Sequence, residues 1–119
     1  MLNLDTHILI HSVSGELTEK EEALLSKHAW GISCIVLWEI TKLVEKKRIL
    51  IDLDDPALLR TLSKTHIYPI DLAVCRKLAE LDFHSDPADE LIAATSIVHR
   101  VPLLTRDTTI KKSKLVPFA

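Results

Sequence analysis

The sequence predicts an α/β fold, a three-layer sandwich in which a small central parallel β-sheet is flanked by helices. Three observations carry that expectation. Short apolar segments alternate along the chain with longer helical ones, as strands do when crossover helices join them. The strand segments are close to continuously apolar, as strands covered on both faces are. The chain has 119 residues, of which 47% are hydrophobic, enough for one core and too little for two domains.

Leu2–Leu4 reads as a short buried strand, with Asp5-Thr6 directly after it. A helix from about Thr6 to Val13 follows and stops near Ser14-Gly15. Thr18-Glu19-Lys20-Glu21 has capping-box spacing and opens a helix running to about His28. Trp30-Gly31-Ile32-Ser33 is a second strand, and Ser33 is placed to cap a helix from Cys34 to about Lys47. Ile49-Leu50-Ile51 is read as a brief extended piece. Asp55-Pro56 sets a cap residue before a proline at the first helical position, so another helix starts there. Ile67–Ile70 is a short extended segment, and Asp71 caps a helix to about Leu81. Asp86-Pro87 repeats the cap-plus-proline signal and opens a helix to about Arg100. Val101–Thr105 is a strand, followed by Arg106-Asp107, a short helix and a final strand near Leu115–Pro117. There is no repeat, low-complexity run or linker, so residues 1–119 are read as a single domain.

Composition narrows the classes. The apolar fraction is too high for a disordered chain. No run of eighteen apolar residues spans a membrane, and the start MLNLDTHILIHSV lacks the basic and long apolar regions of a signal peptide. A cytoplasmic location is therefore expected. Cys34 and Cys75 belong to no CxxC pair and read as buried free thiols in a reducing compartment. The net charge of -2 argues weakly against a nucleic-acid binder, but acids that converge on a cation reverse the local sign.

The acids are more informative. In parallel α/β sheets ligands bind at the carboxyl ends of the strands, and Asp5 and Asp107 each follow a predicted strand. Each also has an ordinary role as a helix cap. Glu39 lies between Ile35 and Leu43 at helical spacing, beside the apolar face, where an ionised carboxylate is costly unless a cation or hydrogen bonds satisfy it. Its plainer alternative is a side chain reaching water or pairing with Lys42. Asp86 makes a good cap, and Asp89 would occupy the third helical position, where the helix dipole favours an acid. The helix behind them is apolar or small nearly all round, which places Asp89 at the mouth of a buried element. Thr105 and Arg106 are positioned to hydrogen-bond or pair with neighbouring acids. Clustered carboxylates need a cation to remain ionised. An all-oxygen set suits Mg²⁺ or Mn²⁺, and such an ion supports phosphodiester hydrolysis by water.

Leu4-Asp5-Thr6, Ile32-Ser33 through Glu39-Ile40, Asp86-Pro87-Ala88-Asp89 with Ile92-Ala93-Ala94-Thr95, and Leu103-Leu104-Thr105-Arg106-Asp107 together resemble the PIN-domain family. The likeness is greatest to VapC-type toxins of toxin–antitoxin pairs, and the order of motifs matches over nearly the whole chain. The resemblance implies a Mg²⁺- or Mn²⁺-dependent endoribonuclease acting on single-stranded or loop RNA. It places Asp5, Glu39, Asp89 and Asp107 on the family's acidic quartet. Asp5 and Asp89 become the principal metal ligands, Asp107 and Glu39 complete the site directly or through water, and Thr6, Asp86, Thr105 and Arg106 support it. It also implies a homodimer and an inhibitory antitoxin protein whose C-terminal segment enters the acidic groove. Two residues depart from the pattern. Glu90 stands where many such toxins have Arg, and Trp38 is bulkier than expected before Glu39.

Other readings are weaker. A catalytically inactive PIN-like module binding RNA or protein draws support from Glu90 and the acidic balance, and the retained quartet counts against it. A haloacid-dehalogenase-like phosphatase would need a second Asp two residues after Asp5, where His7 stands. A phospho-receiver would need an acidic pair near the first strand and a late Lys. The basic runs Lys42, Lys46, Lys47, Arg48 and Lys111, Lys112, Lys114 read as solvated helix ends or as RNA phosphate contacts. The six His residues show no metal-ligand spacing.

Overall fold

In the computed structural model, which describes residues 1–119, β1 (Leu2–Leu4), β2 (Trp30–Ser33), β3 (His66–Tyr68) and β4 (Leu103–Leu104) form one sheet in the order β3-β2-β1-β4. Every pairing is parallel, with Asn3 opposite Gly31 and Leu103, and Ile32 opposite Ile67. All carboxyl ends of the strands therefore lie along one rim of the molecule. The connecting helices are α1 (Thr6–Ser14), α2 (Glu19–Ser26), α3 (Ile35–Glu45), α4 (Pro56–Ser63), α5 (Leu72–Leu78) and α6 (Pro87–His99). The expected three-layer α/β sandwich is thus the observed fold. None of its helices is long and apolar enough to cross a membrane.

The sheet is covered on both faces. Leu2, Asn3 and Leu4 are all buried, although successive side chains point to opposite sides. The Asn3 amide Nδ2 donates to the Ile92 carbonyl at 3.1 Å and to Ser96 Oγ at 2.9 Å, which fixes the register of α6 on the central strand. Ala93 and Ala94 let that helix approach closely and are fully buried. The core is completed by Ile8 and Leu9 of α1, Val36 and Ile40 of α3, Ile32 of β2 and Ile110.

Local signals explain most boundaries. Thr18 and Glu21 form the reciprocal capping box that starts α2. Asp55, Asp71 and Asp86 accept backbone N–H groups at the starts of α4, α5 and α6, with Pro at the head of α4 and α6. Gly15 closes α1 at φ 72°, a left-handed conformation that glycine adopts without strain.

Several expected pieces differ. Ser33 is not the cap of α3; Cys34 is, without a side-chain cap bond, and Ser33 Oγ instead accepts from the Ile35 N–H at 3.3 Å. Ile49–Ile51 joins no strand; it lies beside His7, Ile10 and His11 of α1, and Leu50 is fully exposed. The final strand shrinks to one parallel bridge between Leu103 and Phe118. Cys75 lies exposed on α5, contrary to the expected burial, while Cys34 is half-buried; both are free thiols.

Gly31 is required by close approach: a Cβ built there would lie 2.6 Å from the Tyr68 ring. Gly31→Ala forces that ring to shift and is expected to destabilise the fold by about 1–3 kcal/mol, read from urea unfolding.

Candidate active site

Two strand ends, helix α3 and the mouth of α6 deliver the acids to the same rim. Asp5 follows β1 directly and is the cap of α1, its Oδ1 accepting from the Thr6 N–H at 2.8 Å. It is only 4% exposed. Its other oxygen accepts from Thr105 Oγ1 at 2.6 Å, a residue that follows β4. Thr105 Oγ1 in turn accepts from the Asp107 N–H at 3.0 Å, and Asp107 Oδ1 caps the closing turn by accepting from Ile110 N–H at 2.9 Å. Asp5, Thr105 and Asp107 are thereby one connected unit across β1 and the edge strand β4. Thr6 extends it to α3, because its hydroxyl donates to Glu39 Oε1.

The second unit lies where α3 meets the first turn of α6. Carboxylate oxygens of Glu39, Asp86 and Asp89 all lie within 4.8 Å of one another. Asp86 serves two purposes, since its Oδ1 also accepts the Asp89 N–H at 3.0 Å as the helix cap. Asp89 Oδ2 accepts from the Ser85 hydroxyl at 2.7 Å. Sequence reasoning missed Ser85. Its place one residue before the cap was visible, but nothing in sequence says that its hydroxyl turns onto Asp89. Glu90 accepts the Ser85 backbone N–H at 3.1 Å, so it serves the loop entering α6.

Arg106 faces elsewhere. It forms a forked pair with Glu21 on α2, with Nε at 2.8 Å and Nη2 at 2.6 Å, and reaches the Glu16 carbonyl at 3.2 Å. The expectation that it would pair with the neighbouring acids is therefore replaced by a structural clasp between α2 and the end of β4. Arg106 holds the Glu21 carboxyl down at about 2. Glu21 binds fewer protons folded than unfolded, so the pair stabilises the protein above pH 4.5 and the benefit is lost as pH falls toward 2. Arg106→Ala is expected to cost about 1 kcal/mol at neutral pH, since solvent screens the partly exposed guanidinium, with the difference from wild type shrinking in acid.

Charge within the cluster is offset only weakly, by the attraction of His7 to Asp5 and Glu39. None of the five ion pairs in the molecule includes Asp5, Glu39, Asp86, Asp89 or Asp107. Burial pushes the Asp89 carboxyl up to about 6, aided by the charges of Asp86, Asp5 and Asp107 and opposed by the Ser85 hydroxyl. Burial likewise raises Asp5, against the Thr105 hydrogen bond, and raises Glu39, against that of Thr6. Hard oxygen donors held close together and destabilised as anions fit a divalent cation such as Mg²⁺ or Mn²⁺. Thiolates and clustered imidazoles are absent from this donor set.

The sequence matches the PIN domain family over residues 3–114. The chain belongs to the PIN domain family. Solved structures of similar fold include VapBC2 from Rickettsia felis bound to a promoter DNA fragment, with TM-score 0.72 and 21% identity over 100% of this chain and 98% of that one. A toxin–antitoxin complex from Klebsiella pneumoniae has TM-score 0.72 and 23% identity, covering 94% and 91%. FitAcB from Neisseria gonorrhoeae has TM-score 0.71 and 22% identity, covering 100% and 97%. No curated protein sequence matches this one. In this PIN domain the carboxyl ends of parallel strands and the mouth of α6 hold the acids.

Proposed function

We propose that this PIN domain is a Mg²⁺- or Mn²⁺-dependent endoribonuclease and the toxin of a toxin–antitoxin pair. The observation that carries the reading is the convergence of Glu39, Asp86 and Asp89 oxygens within 4.8 Å, next to Asp5 and Asp107, with none of these acids in an ion pair.

Asp5 and Asp89 would be the principal ligands, with Glu39, Asp107 and Asp86 completing the set directly or through water. The bound cation would supply polarisation of a phosphoryl oxygen and a lowered pKa for water. The chain's own groups do the positioning. Thr105 and the Thr6 N–H fix both oxygens of Asp5, Thr6 Oγ1 aims Glu39, and Ser85 aims Asp89. These hydroxyls lock the carboxylates before substrate arrives, which lowers the reorganisation the reaction requires. A carboxylate not taken up by the cation would accept a proton from water as the water oxygen bonds to phosphorus, and the P–O bond to the leaving nucleotide would break with its oxygen taking a proton from solvent.

The toxin assignment is supported by three similar folds, two of them described as VapBC2 and as a toxin–antitoxin complex. On this reading the partner is an antitoxin protein, the chain forms a homodimer, and it acts in the cytoplasm. Incubating the purified protein with a mixed single-stranded RNA pool tests the nuclease reading. Internal cuts are expected with Mg²⁺ or Mn²⁺ and none with EDTA. Intact RNA after incubation with folded, antitoxin-free protein contradicts it.

A further inference from the structure

A trough runs from the carboxylates along the outer face of α3. It is a cavity of about 530 Å³ walled on one side by Trp38, Glu39, Lys42 and Lys46 and on the other by Asp86 and the first turn of α6, with Arg48 beyond. The buried residues of α3 are Val36 and Ile40. Trp38 is two residues from each, about 200° around the helix, and so faces away from the core. Its indole is 54% exposed, although it is among the largest apolar side chains in the protein. Lys42 sits one turn on with Nζ 5.9 Å from the ring centre, and Lys46 lies a further turn along the same face.

We infer that this trough is a subsite for single-stranded RNA, in which a base flanking the reacting phosphate stacks on Trp38 and the phosphates beyond it meet Lys42, Lys46 and Arg48. An exposed indole beside a row of cations is the combination that single strands use, since every base offers a π-face and every nucleotide one negative charge. Duplex RNA keeps its bases stacked on each other and cannot offer one to the indole. The placement of Trp38 directly before Glu39 ties the stacked base to the reacting phosphate. The trough is negative at its Glu39–Asp86 end and positive at the Lys46–Arg48 end, and a divalent cation on the carboxylates would offset most of the negative charge that would otherwise repel a phosphate there. This inference rests on the nuclease reading.

Its test is made on the full chain in Mg²⁺, with tryptophan emission read by stopped flow on mixing with a single-stranded oligoribonucleotide, followed by initial cleavage rates. The other tryptophan, Trp30, is half-buried with its Nε1 donating to the Leu25 carbonyl at 2.9 Å, so Trp38 is the reporter. RNA is expected to quench wild-type emission, and Trp38→Phe to lose that response while keeping KM within about threefold, because a phenyl ring still stacks. Trp38→Ala is expected to raise KM about tenfold and leave kcat within about twofold, the loss of one base–aromatic stack. Lys46→Glu should raise KM more at low salt than at high salt. Wild-type KM in Trp38→Ala overturns the subsite. So does emission that changes with protein concentration and not with RNA, which would make this face an interface between two copies. Quenching without cleavage by any wild-type sample upholds the subsite and overturns the nuclease reading; neither quenching nor cleavage overturns both.

Discussion

On the nuclease reading, Asp89→Asn is expected to lower RNA cleavage by roughly two to four orders of magnitude, the range seen when one charged or hydrogen-bonding group of a preorganised site is removed. The same substitution leaves the fold intact and stabilises the metal-free protein at pH 7. Asn keeps the volume and the carbonyl oxygen, so it still accepts from Ser85 Oγ, and the helix cap through Asp86 uses only the backbone N–H of residue 89. What is lost is the negative charge that Asp86, Asp5 and Asp107 repel. Activity and stability therefore move in opposite directions, as they do where a site stores unfavourable charge for function. Initial cleavage rates and urea midpoints, measured on the same preparations in EDTA and in Mg²⁺, check both halves. A variant that loses activity together with stability would point to misfolding, and one that keeps wild-type cleavage would remove Asp89 from the site.

The stability of the metal-free protein is expected to fall as pH rises from about 4 to about 6. Asp89 titrates at about 6 when folded against 3.8 ordinarily, so the folded state holds the proton that the unfolded state has released. Stability is thus highest below 3.8 for this group, declines through the window, and is flat above about 6. Asp5 and Glu39, both raised by burial, add to the same slope. Saturating Mg²⁺ should abolish the decline by favouring the ionised carboxylates, and should displace protons on binding near pH 6. Urea midpoints across this range, with EDTA and with Mg²⁺, give the comparison. Parallel pH profiles under the two conditions would mean that the raised carboxylates do not bind the cation.

The fold was legible because its signals are local and agree with one another. Apolar segments at Leu2–Leu4 and around Leu103-Leu104, with Asp-Pro helix starts at 55 and 86, specify a βα alternation and hence a parallel sheet. Asp5 and Asp107 stood out for the same reason, since a residue just past a parallel strand lands on the rim where α/β folds bind ligands. What could not be read depends on how distant elements meet. Arg106 had Asp107 beside it in sequence, and only the docking of α2 beside β4 gives it Glu21 at 2.6 Å. Asp86 looked like a cap, which it is, but its closeness to Glu39 follows from α3 crossing the mouth of α6, a contact between residues 47 positions apart. The end of the chain failed differently. Its apolar residues resemble a strand, yet only Phe118 pairs with Leu103 because the outer strand β4 is itself two residues long.

The central claim is that the acidic cluster holds a divalent cation on which RNA cleavage depends. Its most direct test follows Mn²⁺ occupancy, by the loss of the free-ion resonance signal, and RNA cleavage rate in one titration of wild-type protein and Asp89→Asn. Occupancy and rate should rise together in the wild type, with both lost or shifted to much higher Mn²⁺ in the variant. Cleavage that persists in EDTA, or a variant that binds Mn²⁺ and cuts RNA as the wild type does, would contradict the account.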